Sequence, residues 1–166
     1  MAASTHNTEE LFAAKTHILL KKKIKNIITI IIPRHINRVD QIISQINELG
    51  LNAISRRSNK KKLHNIDIYL VDTLGESKKF YKFATTVFLG GSIIKRGGQN
   101  PLEPARFGAK ILHGPNIDNF RDVYKYLNQL KISSSINSPQ QCANSIIFKK
   151  KHEKSKKNEI SWYNNT

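Results

Sequence analysis

The chain is 166 residues long, which suits one domain of about 100 to 200 residues, or one half of a two-domain enzyme, and excludes a large multidomain machine. Its 28 Lys and Arg against 12 Asp and Glu leave a formal charge of +16, so its electrostatic partners are anions. Hydrophobic residues make up 39%, below the roughly 45 to 50% of an average globular domain, so part of the chain is expected to stay outside the compact core.

Met1 to Glu10 carries two acids and no apolar stretch, unlike a secretory signal, and the chain is expected in the cytoplasm. Asn7 can cap a helix with Glu10 as its reciprocal partner, and Leu11, Phe12, Ala14, Ile18 and Leu19 share an apolar face to about Leu20. After the basic turn Lys21 to Lys25, the β-branched run from Asn26 to Pro33 suits a strand covered on both faces, as in a parallel sheet. That run falls far short of the roughly 18 to 20 apolar residues of a membrane span. Val39, Ile42, Ile43, Ile46 and Leu49 repeat at helical spacing, with Gly50 placed for a left-handed cap. Short apolar runs at Leu51 to Ile54, Ile66 to Val71, Thr86 to Leu89 and Lys110 to Leu112 alternate with helix-like segments at Glu76 to Ala84 and Leu102 to Phe107. A last helix spans Asn119 to Leu130, burying Phe120, Val123, Tyr124, Leu127 and Leu130. The alternation predicts an α/β fold, a Rossmann-like parallel sheet with flanking helices over residues 1–130. From Lys131 the Ser, Gln and Lys content predicts a flexible basic tail, 131–166, and Cys142 within it offers neither an internal disulfide nor a metal site.

The basic clusters are Lys21 to Lys25, Arg56-Arg57 with Lys60 to Lys62, and the tail lysines. Such clusters attract nucleic acid, an anionic membrane surface or a phosphorylated ligand. No aromatic stacking set accompanies them, since Phe80, Tyr81 and Phe83 read as packing residues, so specific nucleic-acid binding is not expected. The excess is mostly Lys beside abundant Ile and Asn, and codon bias alone is the stronger reading of it; among specific partners, peripheral contact with an anionic membrane ranks ahead of nucleic acid.

Four loops follow a strand or open a helix, the edge where parallel sheets bind ligands. They are Ser4-Thr5-His6, Pro33-Arg34-His35, Asp72 to Glu76, and Gly90-Gly91-Ser92 through Gly97-Gly98-Gln99 to Asn100-Pro101-Leu102-Glu103. Asn100 can cap, Pro101 suits the first helical position, and Glu103 can return a bond to the cap or bind a ribose diol. A helix start with free amides attracts phosphate, so the segment fits a nucleotide as well as it fits a plain capping box. No G-x-G-x-x-G follows the first strand and no P-loop or G-x-S-x-G elbow occurs. The six His lack metal-ligand spacing, so neither metal nor cofactor is expected.

In order, Ala3-Ser4-Thr5-His6 with Glu9-Glu10, Ile32-Pro33-Arg34-His35, Asp72 to Glu76, Gly90-Gly91-Ser92, Gly97 to Ala105, and Gly114-Pro115 with Asn119-Phe120 resemble the C-terminal half of the 3-deoxy-D-manno-octulosonic acid (Kdo) transferases of lipopolysaccharide synthesis. The resemblance covers residues 2–130 and implies the C-terminal half of a GT-B type glycosyltransferase that holds the CMP of the donor CMP-Kdo. It implies that Pro33, Arg34, Leu74, Gly75, Glu76, Asn100, Pro101, Leu102 and Glu103 line the CMP site. Glu103 would take the ribose hydroxyls, Asn100 the ribose-phosphate side, and Arg34 the base or the phosphate, with Ser4, Thr5 and His6 facing the cleft near the sugar. The implied reaction moves Kdo to a lipid A precursor at the cytoplasmic face of the inner membrane. Thr8 replaces a common Gly, Leu74 a common Met and Gln99 a common His, and none of the 12 acids matches the family's acceptor-deprotonating carboxylate. That base, the acceptor site and a membrane anchor belong to the family's N-terminal half, so a separate partner half is expected for activity. The alternative is a non-catalytic gene remnant, or a basic module that binds an anionic surface.

Overall fold

The structure, a computed structural model, describes residues 1–58 and 64–152. Among them, strands β1 (Ala2–Thr5), β2 (Thr29–Pro33), β3 (Ala53–Ser55), β4 (Ile68–Leu70), β5 (Thr86–Leu89), β6 (Lys110–His113) and β7 (Ser133–Ser135) form one sheet. Its order is β3-β4-β2-β1-β5-β6-β7, and every pairing is parallel. The helices are α1 (Glu9–Lys21), α2 (Val39–Glu48), α3 (Ser77–Tyr81), α4 (Leu102–Arg106), α5 (Arg121–Gln129) and α6 (Pro139–His152). The order reverses at β1, which pairs β2 on one side and β5 on the other, making this the switch point of a doubly wound sheet.

Period-two alternation divides the core into two layers. Ala2, Ile31, Phe88 and Leu112 face α1, α2 and α6, while Ala3, Val87, Leu89 and Ile111 face Tyr81, Ala105, Tyr124 and Leu127 on the other helices. Covering both faces explains why β2, β4 and β5 read as unbroken apolar runs. Each fully buried Ile or Leu, such as Ile31, Ile68 and Leu70, contributes about 1.5 to 3 kcal/mol relative to exposure. Gly50 ends α2 as expected, at φ +78 with its N–H donating to Asn47 O.

The expectation of a flexible tail from Lys131 does not hold over residues 133–152. β7 pairs with β6, Ile136 fills the core, and α6 packs on α1 through Cys142, Ala143 and Ile146. A triple-Ser strand carries no hydrophobic signal because its stability comes from the ladder offered by β6. Cys142 is likewise buried rather than in a polar tail, and burial pushes its thiol up to about 11. The rest of the expected tail, 153–166, and Lys60 to Lys62 lie outside the described residues. The expected Asn7–Glu10 capping box does not form. Thr8 starts α1 without a side-chain cap, and Glu10 pairs with Arg38 and accepts from Thr5 Oγ1. Phe83 is not a packing residue. It follows the end of α3 and stands 80% exposed, whereas Tyr81 is buried and Phe80 lies against Tyr69 with Arg56 over its ring.

Candidate functional site

The strand ends bring the expected residues to one edge of the sheet. Ser4 and Thr5 end β1 and His6 follows it, while Pro33 closes β2 ahead of Arg34 and His35. Thr73 to Glu76 follow β4, and Gly90-Gly91-Ser92 follow β5 and open the long loop to Asn100 at the start of α4. β1 and β2 are tied at this edge by Arg34 N–H donating to Thr5 O at 2.8 Å. Thr5 is fully buried and its hydroxyl donates to Glu10, so it supports the edge from below.

At the switch point β5 passes so close to β1 that a Cβ on Gly90 would lie 2.4 Å from Ser4 O and 2.6 Å from Thr5 Cα. No side chain fits there. The loop that follows wraps around the carboxylate of Glu9, the first residue of α1. Glu9 accepts from the N–H groups of His6 (3.0 Å), Gly91 (2.7 Å), Ser92 (3.1 Å) and Ile93 (3.0 Å) and is fully buried. Successive backbone donors of this kind make an anion nest, and here the protein fills the nest with its own carboxylate. Asn116 Nδ2 donates to the Ser92 and Ile93 carbonyls, Asn119 Nδ2 to Arg96 O, and Tyr124 OH to Gln99 O. The β5–α4 loop is thereby braced along its length. Glu9 and Asn119 stand in the motifs quoted above, but their bracing role does not show in the sequence, and Asn116 looks like any loop Asn.

At the far end of that loop, Asn100 Oδ1 accepts from Leu102 N–H at 3.0 Å, as a cap should. Glu103 does not return the bond expected of a capping box. It lies 3.5 Å from Lys78 Nζ on α3, and both side chains are well exposed, so the pair is weak and the carboxylate accessible. Pro101 is buried, and α4 has only five residues, so the local N–H groups outweigh any dipole of the whole helix. In the β4 loop, Leu74 is 77% exposed while Glu76 turns to β3's end, accepting from Arg56 Nε (2.6 Å) and Nη2 (3.0 Å), Lys79 Nζ and the Thr73 hydroxyl. The Thr73 bond, with Arg56 and Lys79, holds the Glu76 carboxyl down at about 2. Glu76 therefore joins the β3 and β4 loops and stays ionised.

Two imidazoles and two arginines lie near one another at the switch point. His6 and His35 meet edge to face at 5.7 Å, and burial lowers the His6 pKa, against the pull of Glu9 and with the help of His35, Arg96 and Arg34. On β6, burial also lowers His113, whose Nδ1 lies 2.7 Å from Gly114 O. Among the described residues no group of three or more His, Cys, Asp or Glu is arranged to hold a metal ion.

No family model matches the chain. It is 32% identical over 138 residues to the 3-deoxy-D-manno-octulosonic acid transferase of Haemophilus influenzae, covering 83% of this chain and 32% of that protein. With the transferase of the same description from Rickettsia bellii it shares 33% over 146 residues, 88% of this chain and 35% of the relative. A bifunctional glycosyltransferase/methyltransferase of Fusobacterium nucleatum is 30% identical over 127 residues, 75% of this chain and 20% of its own. The chain thus spans about a third of the length of these transferases. Among solved structures, the C-terminal CMP-Kdo binding domain of WaaA from Acinetobacter baumannii superposes with a TM-score of 0.84 at 25% identity, covering 98% of this chain and 84% of that one. Shared sequence over most of this chain and a shared seven-stranded parallel architecture make it a member of the 3-deoxy-D-manno-octulosonic acid transferase family, corresponding to the family's C-terminal domain.

Proposed function

We propose that the chain binds CMP-Kdo as the donor-side domain of a GT-B type Kdo transferase that delivers the sugar to a lipid A precursor. The observation that carries this reading is the convergence of the β1, β2, β4 and β5 loops on one sheet edge in a fold shared with a CMP-Kdo binding domain. Glu103, exposed and only weakly held by Lys78, takes the ribose diol. Asn100, whose Nδ2 is left over after capping, takes the ribose-phosphate side with Pro101 and Leu102. Arg34, exposed and with no side-chain partner among the described residues, takes the base or phosphate beside Pro33. Leu74 and Gly75 close the pocket, with Glu76 fixing their loop, and Ser4, Thr5 and His6 underlie the sugar. The deprotonating base comes from a partner half, because Glu9 and Glu10 at this edge are buried and fully engaged.

Losing a charge-assisted bond to the ribose costs roughly 1.5 to 3 kcal/mol, so Glu103→Ala should weaken CMP about 10- to 100-fold in calorimetry. Unchanged affinity would take Glu103 out of the site. UDP binding tighter than CMP would replace the donor assignment.

Contact with the cytoplasmic face of an anionic membrane belongs to the same reading. No helix among the described residues is long and apolar enough to cross a membrane. At the opposite edge of the sheet, Ile28 (50% exposed) and Phe83 (80% exposed) line one apolar cavity of about 210 Å³, next in sequence to Lys21 to Lys25 and Lys82. Apolar groups among lysines suit an anionic lipid surface.

A further inference from the structure

The roles proposed above leave Arg96 and His35 unassigned, and both lie at the switch point beside His6 and Arg34. His6 follows β1, Arg34 and His35 follow β2, and Arg96 lies in the β5–α4 loop. Arg96 and His6 flank Gly91, and His35 and Arg34 lie on the far side of His6. A Cβ built on Gly91 would lie 3.4 Å from Arg96 Cβ and 3.6 Å from His6 Cδ2, His6 touches His35 ring to ring, and Arg34 is bonded by its N–H to the residue before His6. Among the described residues neither Arg34, Arg96 nor His35 makes a side-chain hydrogen bond or ion pair. His6 Nε2 is buried without any partner. The carboxylate close by, Glu9, directs its hydrogen bonds to four backbone N–H groups and makes none to these side chains. Arg34 and Arg96, both close enough to oppose a charge on His6, lie beside a His6 ring nitrogen that lacks a partner, and an unmet polar atom beside two guanidinium groups favours an incoming anion.

This inference rests on the CMP-sugar reading and adds the chemistry of the sugar. A donor whose sugar is an octulosonic acid carries a carboxylate besides the phosphate that links it to the nucleoside. We propose that Arg96 and His6, backed by His35, receive the sugar carboxylate, making this cluster the element that selects an acidic sugar. Arg34, between this cluster and the CMP side, is left for the nucleotide. A planar guanidinium grips a carboxylate through two parallel N–H donors, and Gly91, at φ +67, leaves room there for the Gln99 side-chain amide, whose nitrogen would lie 3.2 Å from a Cβ at that position and adds a further donor.

The test is calorimetry on the full chain with CMP and with CMP-Kdo, for the wild type, Arg96→Ala and His6→Gln, each checked for an unaltered thermal transition. The wild type should bind CMP-Kdo more tightly than CMP. The ratio of the two affinities should fall roughly 10-fold in Arg96→Ala and by less in His6→Gln, with Arg96→Lys recovering only part of it. A wild type with no preference for CMP-Kdo, or an Arg96→Ala variant that loses both ligands in equal proportion, would overturn the carboxylate assignment while leaving CMP binding in place. A wild type that binds neither ligand would instead remove the underlying CMP reading, and this inference with it.

Discussion

The two edges of this sheet are built from the same seven strands, yet they differ in almost every respect. At the C-terminal edge, backbone N–H groups, buried carboxylates and basic side chains crowd around loops that are braced from α5 and the segment before it. At the N-terminal edge, an apolar cavity opens beside exposed Ile28 and Phe83, and its polar staple is a single network in which His17 joins Thr29 and Asp67, with Lys21 on the same Asp67 carboxylate. In a parallel sheet all strands end together, so every loop after a strand adds its polar groups to one place. The other edge receives only helix ends and strand starts, which are free to expose apolar surface.

Four measurements would break or sharpen that contrast. Glu9→Gln should have the largest effect. The amide would turn N–H donors toward backbone N–H donors, and loss of bonds to a charged acceptor costs about 2 to 3 kcal/mol, read as a lower urea midpoint together with weakened CMP binding. A neutral result would mean that the nest does not organise the C-terminal edge. Acidification should act next, and at both edges. Burial lowers the pKa of His17 and of His113, so below about pH 6.5 the unfolded chain takes up protons that the folded one refuses. Stability is therefore lost as pH falls from about 6.5 toward the folded-state pKa values, with a slope of up to about 1.4 kcal/mol per pH unit for each histidine. Thermal unfolding at pH 7.5 and 5.5 reads it, and His17→Gln removes only the N-terminal-edge share. Thr8→Gly comes third. Thr8 holds φ +77, a region costly for a β-branched residue, and glycine should raise stability by about 1 kcal/mol in the same urea assay. The smallest change is expected from the double variant Ile28→Ser with Phe83→Ser. It should stay within about 0.5 kcal/mol of wild type and bind CMP equally, yet lose salt-sensitive cosedimentation with anionic vesicles. Undiminished vesicle binding would discard the N-terminal edge as a membrane contact.

Much of this edge was legible in advance because each loop has its own local mark. Gly90-Gly91-Ser92, Pro33-Arg34-His35 and Asn100 to Glu103 stand directly after apolar runs or before a helix, and all are found at strand or helix ends. Asn100 caps through its own side chain, a bond between near neighbours that spacing alone foretells. Elements whose stability comes from partners were not legible. β1, Ala-Ala-Ser-Thr, is the central strand although its residues are small, because β2 and β5 supply its ladder on both sides. β7 is three serines docked on β6. Glu76, read as a pocket residue, proves to be engaged with Arg56, 20 positions away, and Arg96 attracts notice only once Gly91 and His6 are beside it.

Hydrophobic periodicity and turn chemistry alone determined that this chain alternates strands with helices and carries its Gly-rich loops after strands, because those preferences act over a few neighbouring residues. Only the tertiary structure decided that Glu9 fills the nest of a loop 82 to 84 residues away, that Arg96, His6 and His35 come together beside Gly91, and that the apolar surface collects at the opposite edge. Those outcomes depend on strand order, which places β1 between β2 and β5, and strand order is settled by the packing of the whole sheet rather than by any one segment.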